Sequence, residues 1–210
     1  MKKIIRCILA VLLFTGYGAR VTDNCFARRL PETIIRVGVL VGVKSFNINC
    51  EGKYYIYDIN TGRQSNIEPM NDYLVKPGSK GISIDGKKFG ASVRLIAQEN
   101  GSFLRINGRR YRDNIIINSK EGKCTVINEI GLEDYLYGIL PSEVNAGWNI
   151  EALKAQAVVS RTYVLKNLHK HEKDGFDVCT ETHCQVYGGV ESGPAHQRRS
   201  GSQPRPGIGL

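Results

Sequence analysis

Between Thr33 and Ile127, short β-branched and aromatic runs are punctuated by Asp85-Gly86, Asn100-Gly101 and Asn107-Gly108. Such pairs accept the two consecutive positive φ angles that tight two-residue hairpins require. A chain punctuated this way is driven toward short antiparallel strands. Ile34, Ile35, Val37, Val39 and Val41 make the opening strand, interrupted by Gly38 and Gly42. Phe46, Ile48 and Cys50 alternate with polar neighbours, and Tyr54 and Ile56 face away from Tyr55 and Tyr57. Val93, Leu95 and Ala97 run into Asn100-Gly101, and Phe103, Leu104 and Ile106 leave it. Ile115 to Ile117 and Thr125 to Ile127 complete the set. Residues 33–127 therefore read as a β-rich antiparallel meander.

The period changes near Asn128, and residues 128–190 read as a helical half. Leu132 to Tyr137 predicts a short helix with Glu133 and Asp134 at its positive end, stopped by Gly138 and Pro141. Asn149 is placed to cap a longer helix reaching about Leu168. At 100° per residue, Ile150, Leu153, Ala157, Val164 and Leu168 form one stripe. Ala152, Ala155, Val159 and Tyr163 form a second stripe nearly opposite. Two apolar sides predict a helix packed on two sides. The expected fold is thus α+β: an N-terminal antiparallel β-meander packed with a helical catalytic half around one buried central helix. Arg161 falls inside the first stripe and needs a carboxylate or carbonyl partner, either as a structural ion pair or to position an active-site carboxyl.

Lys2, Lys3 and Arg6 precede an apolar run from Cys7 to Phe14, too short to span a bilayer comfortably. Residues 1–27 read as a secretory signal cleaved after Ala27, or as an uncleaved N-terminal anchor. The expected location is extracytoplasmic, secreted or held on the outer face of the membrane. Hydrophobic residues make up 41% of the 210 and charged residues 23%, which excludes disorder over most of the length. From about Ser192, Gly, Pro, Arg, Ser and Gln dominate, so residues 191–210 read as a disordered or aberrant tail. The formal charge of +9 suits either an anionic partner or a solvated basic surface. No nucleic-acid motif accompanies it, so nucleic acid is not an expected partner.

Two constellations carry chemistry. The first is Pro141-Ser142-Glu143, where Ser142 can cap the next turn and Glu143 sits on a bend, with Trp148 close in sequence. An aromatic neighbour can desolvate a carboxyl and raise its pKa to about 6. The plainer alternative is a helix-dipole partner following an N-cap. The second is His169, His171, Cys179, His183 and Cys184. Two thiols and nearby imidazoles suit a tetrahedral zinc site, with Cys179, His183, Cys184 and either His171 or His169 as ligands. His183 and Cys184 are neighbours, so joint ligation demands a bent backbone. A Cys179–Cys184 disulfide and reduced packing thiols are the alternatives.

Leu132-Glu-Asp-Tyr-Leu-Tyr-Gly138, Pro141-Ser-Glu143, Trp148, Glu151-Ala-Leu-Lys-Ala-Gln-Ala157, Arg161-Thr-Tyr163 and Cys179-Thr-Glu-Thr-His-Cys-Gln-Val-Tyr187 together resemble the SpoIID/LytB family. The resemblance is dense from about Gly131 to Gly189 and looser back to Thr33. It implies a peptidoglycan lytic transglycosylase acting in sporulation, with Glu143 as acid/base. It also implies that Ser142, Trp148, Gln156, Arg161 and Tyr163 bind substrate or support the site. One carboxyl suffices there, because the muramyl 6-hydroxyl is a tethered nucleophile of high effective molarity. Bond cleavage then needs no cofactor, and the resemblance favours a structural zinc over a disulfide. The implied partners are peptidoglycan glycan strands and other sporulation or wall-hydrolase proteins. The alternative reading is a non-catalytic wall-binding enhancer of an N-acetylmuramoyl-L-alanine amidase. Family domains continue past the Cys-His-Cys segment, so this ending predicts an incomplete cleft.

Overall fold

The computed structural model describes residues 32–190 apart from Ser79 and Ala146. The expected signal or anchor at 1–27 and the tail at 191–210 lie outside the described residues. In chain order the strands are β1 (Ile34–Val43), β2 (Phe46–Glu51), β3 (Tyr54–Asp58), β4 (Gln64–Ile67), β5 (Asp72–Pro77), β6 (Ile82–Ile84) and β7 (Lys87–Phe89). Then come β8 (Ser92–Ala97), β9 (Phe103–Ile106), β10 (Arg109–Arg112), β11 (Asn114–Lys120) and β12 (Lys123–Gly131). Two helices, α1 (Leu132–Glu143) and α2 (Ile150–Lys166), precede a last short strand, β13 (Val178–Cys179). The architecture is α+β. One sheet runs β13-β1-β12-β11-β8-β3-β4 and the other β10-β9-β2-β5-β6-β7.

This order is not a meander. Asp85-Gly86 closes β6 onto β7 and Asn107-Gly108 closes β9 onto β10, each with two positive φ angles. Asn100-Gly101 does something else: it carries the chain from β8 in one sheet to β9 in the other. A turn dipeptide specifies a local bend and not which strand receives the chain. Glu121-Gly122 makes a further hairpin, β11 to β12, with φ of 52° and 70°.

The strands alternate as their pattern predicts. Val93 and Leu95 of β8, Leu104 and Ile106 of β9, and Ile115 and Ile117 of β11 point inward, and both sheets contribute to one hydrophobic cluster. Burying each such side chain contributes about 1.5–3 kcal/mol. β1 is paired on both sides, antiparallel with β12 and parallel with β13.

The helices depart from expectation in two ways. α1 continues through Gly138 and Pro141 to Glu143. Gly138 is not a stop signal but a packing notch: a Cβ there would meet Tyr187 Cε2 at 2.3 Å. Pro141 falls in the last turn, so little helix follows the hydrogen bond it cannot donate. The central buried helix is α1, whose Tyr135, Leu136 and Ile139 are fully buried, and not α2. Only Ala157, Ser160 and Val164 of α2 are buried, so the middle of its first stripe faces inward, Ile150 at its start is exposed, and Ala152, Ala155 and Val159 of the second stripe are exposed too. Alanine counts as apolar in a periodicity but loses little in water, which is why the second stripe misleads. Among the described residues no helix is long and apolar enough to cross a membrane.

Candidate functional site

The Cys/His segment begins just beyond α2. His171 enters a single 3₁₀ turn, Glu172–Asp174, that ends at Gly175 with φ 86°. The chain reverses there, and Phe176 pairs back with His171. β13 then lies beside β1 with Val178 opposite Val37 and Cys179 opposite Gly38. Gly38 makes room for the Phe176 ring, since a Cβ would approach it to 2.8 Å. That ring stacks on the His171 imidazole at 5.1 Å. Next in sequence after Phe176, Asp177 is buried and accepts from Arg36 Nη2 and the Arg36 backbone N–H, both at 2.9 Å, and from His169 N–H at 3.3 Å. Burial acts to raise the Asp177 pKa, but the Arg36 hydrogen bonds and charge win and hold it below the usual carboxylate range.

The Cys184 N–H closes a turn onto the Glu181 carbonyl at 2.9 Å. This turn supplies the bend that lets adjacent His183 and Cys184 face one point. His171 Nε2 lies 3.3 Å from Cys184 Sγ, and Cys179 Sγ lies 3.3 Å from His183 Nε2. The ligating atoms of His171, Cys179, His183 and Cys184 all fall within 4.8 Å of one another. Zn–S bonds of about 2.3 Å and Zn–N bonds of about 2.0 Å place tetrahedral donors roughly 3.3–3.8 Å apart, so this donor set fits with small adjustment. His169 is not part of it. Its imidazole turns outward, with Nδ1 3.6 Å from Asp177 Oδ1. Cys179 and Cys184 are free thiols. Burial pushes the Cys179 thiol up, and the neighbouring Cys184 adds to the effect.

Tyr163 Oη donates to the His183 carbonyl at 3.0 Å, and Lys170 Nζ donates to the same oxygen. α2 thereby fixes the turn that carries two of the four donors. Downstream, the Tyr135 hydroxyl donates to Gln185 Oε1 at 3.2 Å, and Tyr187 Oη to Asn128 Oδ1 at 2.7 Å. Tyr187 stacks on Tyr135 at 5.3 Å. The Cys/His segment is thus fastened to α1, whose last residue is Glu143. Burial raises the Tyr135 hydroxyl far above its ordinary value, and Cys184, Tyr163, Glu143 and Cys179 add to the shift. Both constellations therefore lie within electrostatic reach of one tyrosine.

Glu143 differs from expectation in its surroundings. It ends α1 and is exposed, as are Ser142 and Pro141. Ser142 is helical and caps nothing; Asn149 caps α2, its Oδ1 accepting from Glu151 N–H at 2.8 Å. Trp148 is 57% exposed, so the dry enclosure expected around the carboxyl is not built by the described residues. Nor is Glu143 a helix-dipole partner, because a helix C-terminus is the negative end. Among the described residues its carboxyl has no hydrogen-bond or ion-pair partner. Arg161 is held by Glu133, with Nε–Oε1 at 3.1 Å and Nη2–Oε2 at 2.9 Å, a bidentate tie between α2 and α1. Gln156 Nε2 donates to Ser160 Oγ at 3.3 Å, within α2.

Sequence reasoning missed Asp177, Phe176 and Lys170. Asp177 and its partner Arg36 are 141 residues apart, and no local signal links them. Lys170 lies where any solvated lysine could.

Residues 120–204 match the SpoIID family, described as "Stage II sporulation protein". This segment of the chain is a SpoIID domain. An uncharacterized protein of Brachyspira hyodysenteriae is 31% identical over 161 residues, 76% of this chain and 44% of that protein. A protein of Bacillus subtilis named "Amidase enhancer" is 36% identical over 122 residues, 56% of this chain and 16% of that one. An uncharacterized protein of Chlamydia muridarum is 25% identical over 178 residues, 80% of this chain and 62% of that one. The chain spans less than two thirds of each of these relatives. No solved structure matches it. The SpoIID match covers both Glu143 and the Cys/His cluster.

Proposed function

We propose that this chain is an extracytoplasmic wall-remodelling protein that cleaves peptidoglycan glycan strands as a lytic transglycosylase, with Glu143 as its single acid/base. The observation that carries the proposal is the placement of Glu143. A carboxyl that is exposed, lies at the negative end of a buried helix and has no partner among the described residues does nothing for stability there, yet a rigid support presents it outward. A polymeric substrate can reach such a group.

In the first half of the reaction the Glu143 carboxyl donates its proton to the glycosidic oxygen as the bond to muramyl C1 breaks. In the second, the muramyl 6-hydroxyl closes on C1 and its proton passes to the Glu143 carboxylate. The products are a 1,6-anhydromuramyl end and a free 4-hydroxyl on the departing sugar. Glu143 is regenerated, and no water is consumed. A positioned acid/base contributes about 10²–10⁴-fold, and the tethered nucleophile supplies the remainder through proximity. Arg161–Glu133 keeps α2 against α1 and so positions the helix that ends at Glu143.

His171, Cys179, His183 and Cys184 would hold a structural zinc ion. A bound zinc would supply cross-linking energy between the α2 end and β13; four protein ligands leave no open position, so bond cleavage does not pass through it. Export rests on the basic-then-apolar segment 1–27.

The second reading is a wall-binding module that stimulates an amidase. It is favoured by the Bacillus subtilis relative's name and by the lack of an enclosure around Glu143 among the described residues. Mass analysis of glycan products separates the two. Anhydromuramyl ends that disappear in Glu143→Gln support the transglycosylase. Near-normal release by the Gln variant refutes the role of Glu143, and unchanged glycan with the native chain supports the binding module.

A further inference from the structure

Two cavities of about 240 and 400 Å³ open on the second sheet, and none of their lining residues belongs to α1, α2 or the Cys/His segment. They share Glu51 and Met70, so they are two parts of one groove. Its floor follows from strand register. Asp72 lies opposite Asn49, Asn49 opposite Arg105, and Arg105 opposite Arg110, a single row across β5, β2, β9 and β10. At about 4.8 Å between strands the row spans roughly 14 Å, the length of a short oligosaccharide. In the next row Glu51 lies opposite Phe103, and Phe103 opposite Arg112.

These groups are held rigidly. Asn49 Nδ2 donates to Asp72 Oδ1 at 3.0 Å. The Glu51 carboxylate is pinned between Arg105 and Arg110. The guanidinium groups of Arg110 and Arg112 lie over the Phe103 ring at 4.0 and 5.0 Å. Among the lining residues the carboxylates of Glu51, Asp72 and Glu99 face the guanidinium groups of Arg105 and Arg110, so on a chain of net charge +9 the groove has no excess of positive charge. It offers planar donors and acceptors in alternation, which suits hydroxyl and amide groups better than an ion.

Two further observations point to a ligand. Ser102 Oγ and Arg110 Nε are buried polar atoms with no hydrogen-bond partner among the described residues, and both side chains line the larger cavity. Ser102 is itself 5% exposed. Orphaned polar atoms are rare in folded proteins, and two beside one cavity call for a missing partner. The Ser102 hydroxyl rests against Gly52, where a Cβ would come within 2.4 Å of it, so only glycine there leaves room for it at the cavity wall. Met70, shared by both cavities, holds a φ of 63°, a conformation unusual for a side chain of its size.

We propose that this groove binds neutral N-acetylated amino-sugar oligomers, as a second glycan contact separate from Glu143; the choice of ligand rests on the wall-glycan reading above. The test is titration of the full chain with tetra-N-acetylchitotetraose, followed by amide chemical shifts and calorimetry. This oligomer has no muramyl residue, so it reports binding without cleavage. Saturable binding with shifts at Glu51, Ser102 and Phe103 is expected. Ser102→Ala should weaken it about 2–12-fold, the value of one hydrogen bond, with the melting temperature unchanged or raised, and Asn49→Ala should weaken it similarly. Glu143→Gln should leave it unchanged. Absence of saturable binding overturns the proposal. So does binding indifferent to both groove variants, binding lost only in Glu143→Gln, or preference for a phosphate-rich polymer. Failure of the native chain to cleave glycan would overturn the transglycosylase reading and leave this result standing.

Discussion

Gly138→Ala sets two opposing effects against each other. Alanine in place of glycine inside a helix gains about 1 kcal/mol from propensity. The added Cβ, however, would sit 2.3 Å from Tyr187 Cε2, 2.7 Å from Cδ2 and 3.0 Å from the Gly189 carbonyl oxygen. The ring would have to retreat by about 1 Å to restore ordinary contact. It has nowhere to go. It is fully buried, stacked on Tyr135 and tilted against Tyr111 at 6.0 Å. Its hydroxyl is committed to Asn128, whose Nδ2 donates to the Arg112 and Asn114 carbonyls. Overpacking of this kind costs about 1–3 kcal/mol, and displacing the hydroxyl from a buried acceptor costs about 1–3 kcal/mol more. Packing should win by a net 2–4 kcal/mol or so. In a domain of this size each kcal/mol lowers Tm by about 2–4 °C, so calorimetry should record a fall of roughly 5–15 °C. Gly138→Ala combined with Tyr187→Leu should lose less than the sum of the two single changes. An unchanged or raised Tm in Gly138→Ala would show that propensity dominates and that Tyr187 does not pack on the helix backbone.

Cys184→Ser or His171→Ala should abolish retention of stoichiometric zinc and lower Tm, whereas His169→Ala should retain the metal; metal analysis after gel filtration reads both, and equal loss in all three variants would refute the ligand set. Asp58 accepts from the backbone N–H groups of Asn60, Thr61 and Gly90 at 2.8–3.1 Å. Burial works to raise its pKa, but these bonds lower it overall. A lowered folded-state pKa contributes stability that is present above the unfolded value of about 3.9 and is lost as pH falls through the folded value. Asp58→Ala should therefore destabilise by about 2–3 kcal/mol near neutral pH, and the difference from the native chain should shrink in acid; a constant difference across the titration would contradict this. For Arg161 and Glu133, a double-mutant cycle to Ala should give a coupling of about 0.5–1 kcal/mol, because Glu133 is half exposed and screened by solvent; coupling near zero would mean the pair does not tie α2 to α1.

The sequence by itself determined the local choices. Val93, Leu95, Ile115 and Ile117 point inward because a strand repeats every two residues. Asp85-Gly86 and Asn107-Gly108 turn where they do because few other pairs tolerate two positive φ angles. Asn149 caps α2 because its side chain reaches a free N–H two residues on. The motifs gathering Glu143, Cys179, His183 and Cys184 were likewise legible as a family pattern. Tertiary structure decided what depends on distant partners. That Asn100-Gly101 crosses between sheets depends on β9 finding β2. That α1 and not α2 is buried depends on β12 and the Cys/His segment closing over it, with Gly138 admitting Tyr187. The choice of His171 over His169 was fixed by Phe176 stacking on one imidazole and Asp177 drawing the other residue's backbone aside, contacts that need β13 seated on β1. Periodicity and turn chemistry act over a few residues, while a site is assembled by burial and hydrogen bonding between segments more than a hundred residues apart. The strand–strand pairing that brings them together leaves no mark on either segment alone.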